Sequence, residues 1–197
     1  MFSFQPSSFE EEIRDENWVQ AMDEVIDSIE KNQTWDLVNL SKDKNLISVM
    51  CVYKENLNEK GEIDRFKAIL VAKGFSQNPG IDFGEMFSLV GRFDTVREFI
   101  AKEAQKKWKL YQIDVKSAFL EGILEEEIYV QQPLGYEIEG KEDKFYMLKK
   151  VIYGLKQERR AWYSRIESYM IKNGFCRRKI EATLYTKVNG HGQIPIV

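Results

Sequence analysis

The sequence is poor in the residues that build the commonest catalytic and metal centres. His191 is the only histidine, which argues against a Ser-His-Asp triad and nearly as strongly against a zinc site. Two cysteines, Cys51 and Cys176, make no disulfide framework or thiolate metal cluster. They fit a reducing, intracellular, cytoplasmic setting. No apolar run nears the roughly 18 residues of a membrane span, and no charged-then-apolar signal pattern opens the residues at hand. No membrane partner is expected. Internal repeats and low-complexity tracts are also missing. What is present is core material: 43% apolar and 13% aromatic residues in a 197-residue chain. That supports one folded domain or two small subdomains.

The net charge of −3 hides an asymmetry. Residues 1–40 carry ten Asp/Glu against two Lys/Arg, whereas residues 149–179 carry ten Lys/Arg against Glu158 and Glu167. A basic segment of this density points to a polyanion partner. The alternative is that the two regions attract each other or form solvated faces.

Several elements are legible in order. Ser7 and Glu10 form a capping-box pair, and Trp18, Ala21, Met22, Val25 and Ile29 then recur at helical spacing. Residues 34–38 read as a short strand. Val49–Glu55 and Ile63–Lys73 read as a hairpin turned at Asn58–Gly61, with Arg65, Lys67 and Lys73 on one face. That face could grip phosphate or be the solvated side of an edge strand. Ser76–Gly80 is a loop. Thr95 and Glu98 form a second capping box before a helix that ends ahead of Trp108. Residues 127–130 and 145–149 read as strands, and 153–157 as a glycine turn. A helix follows from about Arg160 to Asn173, burying Trp162, Ile166, Tyr169 and Met170 and stopping at Gly174. A last hairpin turns at Asn189-Gly190. Helices and antiparallel hairpins without βαβ alternation predict an α+β fold.

The stretch Trp108–Pro133 organises the chain. Leu110, Gln112 and Asp114 alternate with Tyr111, Ile113 and Val115, which predicts a strand ending at Asp114. A carboxylate there, followed by Ser117, Ala118 and Phe119, points to a metal or phosphate site. Alternatively, Asp114 or Ser117 caps a short helical turn.

Five phrases taken together resemble one family, the reverse transcriptases of copia-type long-terminal-repeat retrotransposons. They are Asn32–Trp35, Leu70–Phe75, Gln112–Leu120 (QIDVKSAFL), Glu126–Pro133 (EEIYVQQP), and Tyr153–Gln157 (YGLKQ) with Trp162. The resemblance runs from about Trp18 to Lys187. It implies a right-hand polymerase whose incomplete domain spans 18–197, after an acidic extension at 1–17. Fingers would cover about 18–92 and a partial palm about 93–197, truncated before the Tyr-x-Asp-Asp hairpin. The implied activity is RNA-templated DNA synthesis by two-metal phosphoryl transfer. Its implied partners are an RNA template, a DNA primer, deoxynucleotides and the rest of a retroelement polyprotein, and its implied cofactor is Mg²⁺.

By motif position, Asp114 resembles the first palm carboxylate, and Val115 would lend its carbonyl to the same metal. Phe119 resembles the gate against a ribose 2′-hydroxyl, with Ala118 leaving room beneath the sugar. Gln157 resembles the second palm motif's nucleotide contact. Lys67 and Lys73 would touch nucleotide phosphates or template. Lys149, Lys150, Lys156, Arg159 and Arg160 would lie along the nucleic-acid backbone.

The departures from the pattern matter as much. No Asp-Asp pair occurs anywhere in the sequence, so two of the family's three metal carboxylates are missing. Poor Mg²⁺ binding and negligible synthesis by this chain alone are expected. Ile69 stands where the family usually has Arg, Cys51 where Trp is usual, and Leu89 and Arg159 where Pro is usual. The alternative function is a non-enzymatic nucleic-acid-binding remnant of a retroelement polyprotein.

Overall fold

The structure is a computed structural model of the chain. It describes residues 11, 14–42, 44–84, 91–107, 109–115, 118–179, 181–190 and 192–197. The expected Ser7–Glu10 capping box, most of the 1–17 extension, Trp108, Ser117 and Leu89 lie outside the described residues.

The first described helix, α1 (Glu16–Lys31), starts at Asp15, whose carboxylate accepts the Asn17 N–H at 2.9 Å. This satisfies one of the amides that a helix start leaves open. Its stripe of Trp18, Ala21, Met22 and Ile29 is buried. The stripe packs on a hairpin of β3 (Val49–Leu57) and β4 (Ile63–Ala72), where Trp18 meets Tyr53 and Phe66 edge-on. Asn58 closes the hairpin by accepting the Lys60 and Glu62 N–H groups.

A four-stranded sheet forms the centre. Its order is β1 (Trp35–Val38), β6 (Phe145–Lys150), β5 (Ile123–Val130) and β2 (Leu46–Ile47). The first two pairings are antiparallel and the last is parallel. One core cluster runs from α1 through the hairpin and this sheet to the turn at 151–155. The helix α2 (Phe93–Lys106) precedes β5, and α3 (Glu158–Lys172) follows β6. A smaller sheet holds β7 (Cys176–Arg177), β8 (Tyr185–Asn189) and β9 (Gly192–Ile196). The mixture of helices with largely antiparallel sheets matches the α+β expectation.

Four local expectations need correction. No strand forms at 109–115; Leu110, Tyr111 and Ile113 are exposed. A strand needs a ladder partner for its N–H and C=O groups, and no described strand pairs with this segment. A 3₁₀ turn, Ala118–Glu121, follows instead. The Thr95–Glu98 capping box does not form, because the Thr95 hydroxyl donates to Glu181 at 3.2 Å and α2 starts at Phe93. On α3, Ala161 is the buried residue and Tyr169 is exposed, because no described element covers that face. Lys73 leaves β4 and so does not continue the face of Arg65 and Lys67. Its backbone turns into a 3₁₀ helix at 74–76.

Candidate nucleotide and nucleic-acid interface

Two segments far apart in sequence converge on one cleft of about 570 Å³. β4 lends Arg65, Lys67 and Ile69, and the loop before the 3₁₀ turn lends Asp114 and Val115. Glu24 of α1 and Tyr153 also line it. Asp114 is exposed on this wall. Burial pushes the Tyr153 phenol pKa up, and the Glu158 and Asp114 carboxylates push it further. Arg65 pairs with Glu24 at 2.6 Å. Lys67 sits directly opposite Lys54 across the hairpin. Like charges so placed repel, and a bound anion would relieve that repulsion.

The glycine turn of the 153–157 phrase docks on the end of β4. Ala72 N–H donates to the Tyr153 carbonyl at 2.7 Å. A side chain on Gly154, whose φ is +87°, would meet the Ala72 carbonyl at 2.3 Å; one on Gly74 would meet the Gly154 carbonyl at 2.1 Å. The two backbones touch because neither residue carries a Cβ.

Gln157 does not reach the cleft. It is 0% exposed. Its amide nitrogen donates to the Asp82 carbonyl at 2.7 Å, and its oxygen accepts from Gln77 at 3.0 Å. The Gln77 oxygen accepts the Lys156 N–H at 2.9 Å. The Asp82 carboxylate accepts from Asn45 at 2.9 Å and from the Asn78 N–H at 2.6 Å. This interior network was not legible in the sequence. Gln77 and Asp82 look like ordinary loop residues, and a nearby Gly80 with φ +79° was the only local cue.

The remaining expected residues are scattered. Ala118 is half-buried in the 3₁₀ turn. The Phe119 backbone is in the same turn, and its side chain lies outside the described part. Lys73 donates its N–H to the Ser48 carbonyl at 2.8 Å. In the basic region, Lys149 pairs with Asp36, Arg160 with Glu126, Arg165 with Glu121 and Arg177 with Glu167. Much of the positive excess is thus partnered within the fold. Lys150 is half-buried and Arg159 exposed, while the Lys156 ammonium lies 4.6 Å from the Phe83 ring centroid.

The donor set does not fit a magnesium pair. Among the described residues no group of three or more Asp, Glu, His or Cys is placed to hold a metal ion. Asp114 shares its cleft with one other carboxylate, Glu24, which is paired to Arg65.

These features meet in one class of protein. The chain belongs to the reverse transcriptase (RNA-dependent DNA polymerase) family, whose pattern matches residues 32–197. Within that family it sides with the copia-type retrotransposon enzymes. It is 34% identical over 191 residues to the retrovirus-related Pol polyprotein from transposon RE2 of Arabidopsis thaliana, covering 96% of this chain and 13% of that protein. It is 40% identical over 169 residues to the Pol polyprotein from transposon TNT 1-94 of Nicotiana tabacum, covering 86% of this chain and 13% of that one. The Ty1-LR2 Gag-Pol polyprotein of Saccharomyces cerevisiae is 28% identical over 157 residues, 80% of this chain and 9% of that protein. The chain thus spans about an eighth of the length of the first two relatives. No solved structure matches it. No described helix is long and apolar enough to cross a membrane.

Proposed function

We propose that this chain supplies the fingers and part of the palm of a copia-type reverse transcriptase, within a retroelement polyprotein. Residues 18–92 are the fingers and 93–197 the palm portion. The observation that carries this reading is the convergence of Lys67 and Arg65 with Asp114 on one cleft. An incoming deoxynucleotide would set its phosphates against Lys67, with Lys73 near the template. Val115, Ala118 and Phe119 would line the sugar side. Lys150, Lys156 and Arg159 would lie along the backbone of a template–primer duplex. Gln157 fits this reading as support beneath the nucleotide site.

The chain alone performs negligible DNA synthesis, because Asp114 lacks the further carboxylates that a metal pair needs. Primer extension on an RNA template with Mg²⁺ or Mn²⁺ tests this. The expected result is no extension. Robust extension abolished by Asp114→Asn would overturn it.

A second reading, a binding remnant without catalysis, draws on the unpaired part of the basic region. Affinity for an RNA–DNA hybrid should then fall steeply with salt. The ion pairs at Lys149, Arg160, Arg165 and Arg177 weaken this reading relative to the charge count alone.

A further inference from the structure

The charged residues that line the cleft cancel: Arg65 and Lys67 of β4 stand against Glu24 of α1 and Asp114. A neutral lining is a poor match for a polyphosphate. The cancellation turns on one contact. The Glu24 carboxylate reaches the Arg65 guanidinium at 2.6 Å, although the two residues are 41 positions apart in sequence. Both side chains are about half exposed, so a solute can reach the pair. The backbones beneath it are set in the core. Met22 and Ile29 of α1 are buried, and Phe66, next to Arg65, meets Trp18 edge-on with ring centroids 4.5 Å apart. Glu24 and Arg65 therefore meet without either element moving. Lys67 lies two residues along the same strand face, about 7 Å from Arg65. Among the described residues no ion pair engages Lys67.

From this arrangement we infer that Glu24 is a specificity latch on the cleft: it holds Arg65 until the triphosphate of a nucleotide displaces it. The inference rests on the nucleotide reading of the previous subsection and adds a discriminating residue to it. A monophosphate can sit on Lys67 and leave the Glu24–Arg65 pair closed. A triphosphate is long enough to span Lys67 and Arg65, and it gains the second cation only by taking it from Glu24. Arg65 suits that exchange, because its planar fork pairs with carboxylate and phosphate by the same geometry. A half-exposed ion pair is favoured over its open state by a factor of only about two to five. The apparent affinity of a ligand that needs the open state falls by the fraction left open. The latch therefore lowers triphosphate affinity about threefold to sixfold and leaves monophosphate affinity nearly alone.

The test is fluorescence anisotropy of a labelled deoxynucleoside triphosphate on the full chain, at low salt and with a chelator, so that no metal contributes. Unlabelled triphosphate and monophosphate serve as competitors. Glu24→Gln should tighten triphosphate about threefold to sixfold and shift monophosphate by less than about twofold. Arg65→Gln should weaken triphosphate, and adding Glu24→Gln to it should change nothing more, because the latch has lost its catch. Asp27→Asn removes an exposed α1 acid outside the cleft lining and should bind as wild type does. Melting temperatures should stay near wild type throughout, since the pair is half exposed. If Glu24→Gln binds triphosphate as wild type does, the latch is wrong. It is equally wrong if Glu24→Gln gives the same gain with Arg65 already replaced, which would mark a general effect of charge. Either result leaves the nucleotide reading standing, provided Lys67→Gln weakens binding. If Lys67→Gln binds as tightly as wild type, or if neither wild type nor Glu24→Gln binds triphosphate, the nucleotide reading falls and the latch falls with it.

Discussion

Replacing Gln157 by Leu separates an interior role from direct substrate contact. The side chain is enclosed, and both of its amide atoms are used: one toward the Asp82 carbonyl, one toward Gln77. Leucine fills much of the space but pairs with neither. The Asp82 carbonyl and the Gln77 amide would be left buried without those partners. Each stranded group costs about 1–3 kcal/mol, so the loss should be roughly 2–6 kcal/mol. For a chain of this size that lowers Tm by roughly 4–24 °C. Urea unfolding should show a lower midpoint with an unchanged slope. A cycle with Gln77→Leu should give a coupling of about 0.5–3 kcal/mol, because the two amides bond each other directly. Gln157→Glu should be worse at neutral pH than at acid pH, since its carboxylate would face the Asp82 carbonyl until protonated. A Gln157→Leu protein that unfolds at the wild-type midpoint would refute the network, and would return Gln157 to the role of an accessible contact.

Two further outcomes follow from named geometry. Gly154→Ala should be far more damaging than Gly61→Ala. Both glycines have positive φ, costing about 1–2 kcal/mol of backbone strain with a side chain, but only Gly154 would also drive a Cβ into the Ala72 carbonyl. A total of about 3 kcal/mol or more is expected for Gly154→Ala, read by chemical denaturation; equal losses at the two positions would sink the argument. The last concerns acid stability. Lys44 at 2.8 Å, and then the Tyr129 hydroxyl, hold the Glu127 carboxyl below its ordinary pKa. A depressed folded pKa adds stability above the unfolded value of about 4, and that stability is lost as pH falls through the folded pKa. Glu127→Gln should therefore melt lower than wild type at pH 7, with the gap closing toward about pH 2. A gap of the same size at both ends of a pH series of melts would contradict this.

Local pattern carried much of the fold. The α1 stripe, the 49–72 hairpin with its Asn58–Gly61 turn, β6, and the Gly174 stop of α3 all follow from periodicity and turn chemistry that neighbours in sequence enforce. Where the reading failed, the missing information was a partner. The alternation at 110–115 is genuine, yet no described strand pairs with it and the segment stays exposed. Tyr169 has helical spacing on α3 but stays exposed, with no described element covering it.

The order and spacing of the five phrases, read as residues alone, determined the family, and the lack of an Asp-Asp pair set the expectation about metal. The tertiary structure decided which of those residues meet. It set Lys67 and Asp114 on the lining of one cleft, put Gln157 inside rather than in the cleft, and tied four of the basic side chains to acids. Periodicity acts over one helical turn or one strand, so sequence can reveal it. Contacts between residue 77 and residue 157 depend on how glycine turns let two distant backbones touch, and only the folded chain records that.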